Sequence, residues 1–364
     1  MPASSLSPAS SASAPFHPTR TVHLAAAIDG REPSEAAYYA QMARLAEDGA
    51  LDFVTVGGDG CCTDPFAVLA RVAPATDRIG LVPAVTAVGA EPVDLALAVA
   101  TLDRVSQGRA GWTVTAPQDE PGGGPVGPGG RRGVARRRAT GRAETRWRAA
   151  AETAEAVTRI WDAGETAPRP PQGRPVTAVD ATEPAARVIA ARHADLAFVR
   201  ATRPELAGRV RTELRRLAAE AGRDPDRLLV LAELAIDLGG GELGPEPGVC
   251  VTPVPDGTGG VLFSGGPVDL AEFVVDWQQS GAVDGFHVRP VEPRRDLERF
   301  VNGTVALLQH RGLFRSFHPG ATLREHLGLH RPVPRTPADR LASDRLADDH
   351  LAADRLASAG EAAS

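Results

Sequence analysis

Residues 64–115 read DPFAVLARVAPATDRIGLVPAVTAVGAEPVDLALAVATLDRVSQGRAGWTVT and pass from helix to strand twice. Asp64 and Pro65 open a helix toward Thr76, with proline suited to the first turn and Pro74 set to end it early. Ile79 to Thr86 (IGLVPAVT) is rich in β-branched residues and reads as a strand. Pro92 starts a second helix that runs to Ser106, and Ala110 to Thr115 (AGWTVT) reads as the next strand. Strands that alternate with helices argue for a parallel sheet covered by those helices.

The alternation continues on both sides. Upstream, Thr21 to Ile28 reads as a strand, Glu35 to Asp48 as a helix, and Phe53 to Val56 as a strand ending in Gly57-Gly58-Asp59. Downstream, Glu144 to Ala163 is a long helix, and Pro175 to Val179, Ala194 to Val199 and Leu228 to Ile236 are strands. Helices at Glu183 to Arg192 and Glu205 to Ala221 separate those strands. Leu270 to Ser280 is a helix, Gly285 to Arg289 the last strand, and Leu297 to Arg311 a closing helix. This makes roughly eight β/α repeats, a count that an open doubly wound sheet and a closed barrel share.

Composition narrows the chemistry. The chain has 364 residues, 43% of them hydrophobic, which suffices for one barrel of the usual size of about 250 residues. A net charge of −6 asks for neither nucleic acid nor an anionic membrane. No apolar run reaches the roughly 18 residues that span a bilayer. Three cysteines, Cys61, Cys62 and Cys250, make no disulfide framework and fit a reducing cytoplasm. The sequence has no lysine. Schiff-base chemistry, including that of pyridoxal phosphate, and a lysine-bearing phosphate loop are therefore excluded for this chain alone.

Several stretches stand apart from the repeats. Residues 1–20 are Ser-, Ala- and Pro-rich and read as a disordered leader, without the charged and apolar halves of a signal peptide. Pro117 to Gly141 is Gly/Pro/Arg-rich and reads as a disordered insertion. Gly239 to Gly266 reads as a long loop with room for one short strand around Val249 to Thr252. Residues 333–364 carry a five-residue repeat, DRLAS-DRLAD-DHLAA-DRLAS, whose period matches neither a helix nor a heptad. The folded unit is thus expected over residues 21–332.

Four ordered blocks carry a resemblance. They are DPFAVLARVAPATDRIGL with EPVDLALAVATLDRVSQGRAGWTV; RWRAAAETAEAVTRIWDA; QGRPVTAVDATEPAARVIAARHADLAF with AAEAGRDPDRLLVL; and SGAVDGFHV with FVNGTVALLQHRGLFRSFHPGATLREHLGLHRP. Together they resemble the bacterial luciferase-like monooxygenases of the nitrilotriacetate and desulfurising branch. The resemblance implies a (β/α)8, TIM-like barrel with shortened loops. It also implies a two-component reaction: a separate flavin reductase supplies reduced FMN, and the barrel uses it with oxygen on a small-molecule substrate. A homo- or heterodimer is expected, with no nucleic-acid or membrane partner and no metal.

The resemblance also places a flavin site at the strand ends. Asp59 stands where an acidic residue is usual after the second strand, and Thr86 where a Ser or Thr ends the third. Trp112 and Thr113 occupy the place of a Trp-Asn pair, and Thr115 closes that strand. Ala143 replaces a His, while Arg146 and Trp147 stand for Arg-Tyr near the flavin phosphate. After the fifth strand Asp180-Ala181-Thr182 replaces a turn with Gly and Ser: Thr182 can stand for the Ser, and Asp180 brings a negative charge toward the phosphate. His287, on the last strand, points either into the barrel or into the helix layer, and alternation leaves both open. The alternative function is a flavin-free barrel serving as a partner subunit or small-molecule binding protein.

Overall fold

The strand segments are nearly unbroken apolar runs, as buried parallel strands require. In the computed structural model they pair side by side. The structure describes residues 21–30, 36–58, 64–117, 132–164, 169–239, 253–257 and 259–332, with backbone only for 132–140. The strands are β1 (His23–Ala27), β2 (Phe53–Val56), β3 (Gly80–Thr86), β4 (Gly111–Thr115), β5 (Val176–Asp180), β6 (Leu196–Val199), β7 (Leu229–Asp237), β8 (Val254–Pro255), β9 (Val261–Ser264) and β10 (Gly285–Pro290). β1 to β7 follow in order, and β10 pairs in parallel with both β1 and β7. That double pairing closes an eight-stranded parallel barrel and decides against the open sheet. The first half of β7 pairs with β6; its second half pairs with β9, which β8 flanks antiparallel. This short hairpin was not legible in the sequence.

The helices α1 (Ala36–Asp48), α2 (Pro65–Val72), α3 (Pro92–Val105), α4 (Arg132–Ala163), α5 (Pro184–His193), α6 (Pro204–Glu220), α7 (Pro267–Gln279), α8 (Pro293–Arg299) and α9 (Ala306–His310) form the outer layer, and the short α10 (Leu323–His326) lies against the lower end of the barrel. Two boundaries differ from expectation. α4 begins at Arg132, within the stretch expected to be disordered, because the Arg and Ala residues there are strong helix formers. The closing helix is interrupted by a π-helical turn, Phe300–Val305, where Gly303 lies against Pro267 and Thr304 Oγ1 donates to the Pro267 carbonyl at 2.8 Å. The leader, the tail and Val249 to Thr252 lie outside the described residues. Among the described residues no helix is long and apolar enough to cross a membrane.

The bottom of the barrel, at the strand N-termini, is plugged by the chain's own C-terminal segment. Leu323, Leu327 and Leu329 join Ala25, Phe53, Val82, Val176, Leu196 and Leu231 in one interior cluster. Gly80 makes this possible, since a Cβ there would sit 2.6 Å from Leu323 Cδ1. Polar ties hold the plug in place. Arg324 donates to Asp195 Oδ2 at 2.7 Å, and its backbone N–H donates to Gln172 Oε1, whose amide donates in turn to the buried Asp103 at 2.6 Å. Asp52, fully buried, accepts from the Leu24 N–H at 2.9 Å and from Arg315 at 2.9 Å, with His23 Nδ1 at 3.2 Å. Burial alone would raise the Asp52 carboxyl, but His23 and Arg315 override it and bring it down to about 2.

Two tests follow from the plug. Leu323→Ala should destabilise the protein by about 3 kcal/mol in urea denaturation, because Gly80 leaves nothing to collapse into the space. For Asp52, the folded value of about 2 lies below the ordinary 3.8, so its contribution is present above 3.8 and lost as pH falls toward 2. Asp52→Asn should remove about 2 kcal/mol at neutral pH and flatten the acid limb of the stability profile over that window.

Candidate active site

The upper half of the barrel, toward the strand C-termini, holds charge where the lower half holds leucine. Parallel register sets Glu233 of β7 directly beside His287 of β10. Glu233 Oε1 lies 3.4 Å from His287 Nδ1, and Glu233 Oε2 accepts from Arg200 Nε at 2.6 Å. Arg200, just past β6, also donates to Asp180 Oδ2 at 3.1 Å. On the other side His287 Nε2 lies 2.9 Å from Thr55 Oγ1 of β2. Ala25 is the register partner of both His287 and Phe53, and its small side chain lets the ring reach across β1. The ring stacks on Phe198 with centroids 4.8 Å apart. Asp180, Arg200, Glu233, His287 and Thr55 thus form one connected chain through the barrel, and His287 is settled as inward-facing.

The electrostatics follow from burial and neighbours. Burial pushes the Glu233 carboxyl up, yet the His287 ring and the Arg200 guanidinium override it and hold it at about 2. Burial and the Glu233 charge raise Asp180, with Arg200 opposing them. Burial lowers the Arg200 pKa, but the flanking carboxylates outweigh it and the net shift is upward. Arg200 is the cation that offsets two largely desolvated carboxyl groups at the mouth.

The residues expected at a flavin site divide by face. Thr113 points into the barrel, is 5% exposed, and its hydroxyl has no hydrogen-bond partner among the described residues. Thr86 and Thr115 are register partners at the mouth, with hydroxyls 3.4 Å apart. Trp112 is corrected. Adjacent strand residues face opposite ways, so with Thr113 inward its indole lies in the helix layer, edge-on to Trp161 at 6.1 Å and donating to Thr177 at 3.0 Å. Trp147 is likewise buried between helices, donating to Glu183 Oε2 at 2.9 Å, with Arg146 half-buried beside it on α4. Asp180 is at the mouth as expected, but its charge is matched by Arg200, and its other oxygen accepts from the Thr182 N–H at 3.0 Å. Asp59, with Cys61 and Cys62, lies outside the described residues.

Sequence reasoning missed Thr55, Arg200 and Glu233. One signal was present: Glu233 is the lone charge inside LLVLAELAI, and a buried carboxylate there needs a partner. Among the described residues no group of His, Cys, Asp and Glu is arranged to hold a metal ion.

A closed parallel barrel with its ionisable cluster at the strand C-termini has the build of a TIM-barrel enzyme. The comparisons narrow this. Residues 16–237 match the family model for luciferase-like monooxygenases, and the chain belongs to that family. It is 25% identical to the N-acetyl-S-(2-succino)cysteine monooxygenase of Bacillus subtilis (strain 168), over 86% of this chain and 95% of the relative. It is 24% identical to nitrilotriacetate monooxygenase component A of Aminobacter aminovorans, over 81% and 90%. The solved EDTA monooxygenase from Chelativorans sp. BNC1 shares the fold, with a TM-score of 0.67 at 20% identity, over 86% of this chain and 99% of that one.

The charged chain generates one prediction. Arg200→Met should cost about 3 kcal/mol at neutral pH, because it strands Asp180 and Glu233. The Glu233 value of about 2 lies below its ordinary 4.5, so its contribution is present above 4.5 and lost as pH falls toward 2. The gap between wild type and variant should therefore narrow below 4.5, as followed by urea denaturation across pH.

Proposed function

We propose that this chain is the oxygenating component of a two-component, flavin-dependent monooxygenase. A separate reductase supplies the reduced flavin, and the chain oxidises a small organic substrate at the barrel mouth. One observation carries the reading: a family-matched barrel keeps a costly ionic chain, Asp180–Arg200–Glu233–His287, at the end where such barrels do chemistry. The flavin would supply the oxygen chemistry itself. Its fit is uneven. The unpartnered Thr113 hydroxyl suits a polar ring edge, whereas the turn after β5 does not suit a phosphate, so no step is derived through the cofactor.

The chain's own residues have definable tasks. The Leu323 plug and the Phe53 ring shut water out from the bottom, and Phe198 covers one face of the His287 ring. His287 and Arg200 together hold Glu233 ionised, with the carboxylate 3.4 Å from His287 Nδ1. The other ring nitrogen, Nε2, faces Thr55 Oγ1 at 2.9 Å. The turn after β5 favours one other reading, a flavin-free barrel that serves as a partner subunit or small-molecule binder.

The test supplies the full chain with a flavin reductase, NADH, both FMN and riboflavin, and isotopically heavy oxygen. The substrates are a panel of thioethers, sulfones and aminopolycarboxylates. The expected result is transfer of one heavy oxygen atom to a panel member, with turnover reduced about tenfold or more in Glu233→Gln. Flavin binding with hydrogen peroxide as the only product across the panel would sink the oxygenase reading. A protein that takes up no flavin would support the flavin-free barrel.

A further inference from the structure

Strand-to-helix turns at a barrel mouth ordinarily offer free N–H groups and the positive end of a helix to an anion. At four of the described turns a carboxylate of the chain takes an N–H of the turn just ahead of the helix. Asp180 takes the Thr182 N–H at 3.0 Å, Asp29 takes the Gly57 N–H at 2.6 Å, Asp269 takes the Gly266 N–H at 3.2 Å, and Asp296 takes the Glu292 N–H at 2.7 Å. Proline stands at the start of α2, α3, α5, α6, α7 and α8, deleting a donor each time. The residues just before α2, α3, α5 and α8 are Asp64, Glu91, Glu183 and Glu292, whereas Arg203 precedes α6 and Gly266 precedes α7.

The corner after β5 is the most fully committed. The Ala181 N–H donates to the Phe198 carbonyl at 2.8 Å, and Thr182 Oγ1 accepts from the Arg200 N–H at 3.3 Å. Arg187, the nearest cation on α5, is tied to the Ala181 and Thr182 carbonyls at 3.2 and 3.1 Å and to Glu213 at 2.7 Å. Arg200 is held between Asp180 and Glu233. A dianionic phosphate would meet the Asp180 and Glu183 carboxylates with these donors already in use.

We propose that this barrel selects its flavin by the ring and takes one with an uncharged side chain, of the riboflavin class, in preference to FMN. The inference rests on the flavin-dependent reading above.

The experiment titrates the full chain with FMN and with riboflavin by fluorescence quenching, under matched salt. Riboflavin is expected to bind at least as tightly as FMN. Asp180→Gly should free the Thr182 N–H, remove one carboxylate from the corner and leave Arg200 tied to Glu233 alone. FMN affinity should then rise about tenfold, equivalent to about 1.4 kcal/mol, with riboflavin changing less than about threefold. Glu183→Gln, which keeps an acceptor for Trp147, should shift the ratio the same way and serves if the first variant does not fold. FMN as the tighter ligand of the wild type would overturn the proposal while leaving the flavin reading intact. An unmoved ratio in a folded variant would overturn it also. Failure of both flavins to bind would remove the flavin reading, and this inference with it.

Discussion

Pairing of β10 with β7 turns a sheet into a sealed container, and the interior chemistry depends on that closure. A side chain pointing inward is cut off from water on the lower side, because Leu323 and its neighbours block that end. Any inward charge must then find its partner on another strand. Glu233 finds His287 by register and Arg200 by reach, and Arg200 extends the chain to Asp180. The cluster is a consequence of closure, which brings β10 alongside β7 and sets His287 beside Glu233.

The two ends of the barrel use carboxylates in the same way, with different results. At the bottom, Asp52, Asp103 and Asp195 accept from backbone N–H groups and from nearby Arg or Gln side chains, which fastens the connections and the C-terminal plug. Burial drives Asp103 up to about 6 despite its hydrogen bonds, so that site sacrifices some stability at neutral pH to hold Gln172 in place. At the top, Asp29, Asp180, Asp269 and Asp296 accept from the N–H groups of the turns. There the same device places carboxylates along the described part of the rim.

Legibility was uneven along the chain. The barrel strands were readable because buried parallel strands are uninterrupted apolar runs, and the helices because proline marks their starts. The β8–β9 hairpin was not, since strands this short carry too little pattern among glycines and prolines. The start of α4 was misplaced because the Gly/Pro-rich composition before it was carried too far into Arg- and Ala-rich residues. In the site, Thr113 and Asp180 were singled out through the family resemblance, at the places of its Trp-Asn pair and its turn after the fifth strand. Arg200 and Glu233 were not, because each looks like an isolated charge until its partner's strand is brought alongside.

The sequence by itself determined the alternation of strand and helix, the absence of lysine chemistry, and the pairs of residues that share a face of one strand. It also limited the choice at Trp112 and Thr113, since only one of two neighbours on a strand can enter the barrel. The tertiary structure alone decided that Thr113 is that one and that His287 points inward. It alone brought Asp180, Arg200, Glu233, His287 and Thr55 into one chain. Those residues come from β5, the end of β6, β7, β10 and β2, and Thr55 and His287 are 232 positions apart. Local pattern reports what lies within a few residues, whereas the closing of a barrel brings together strands from opposite ends of the chain.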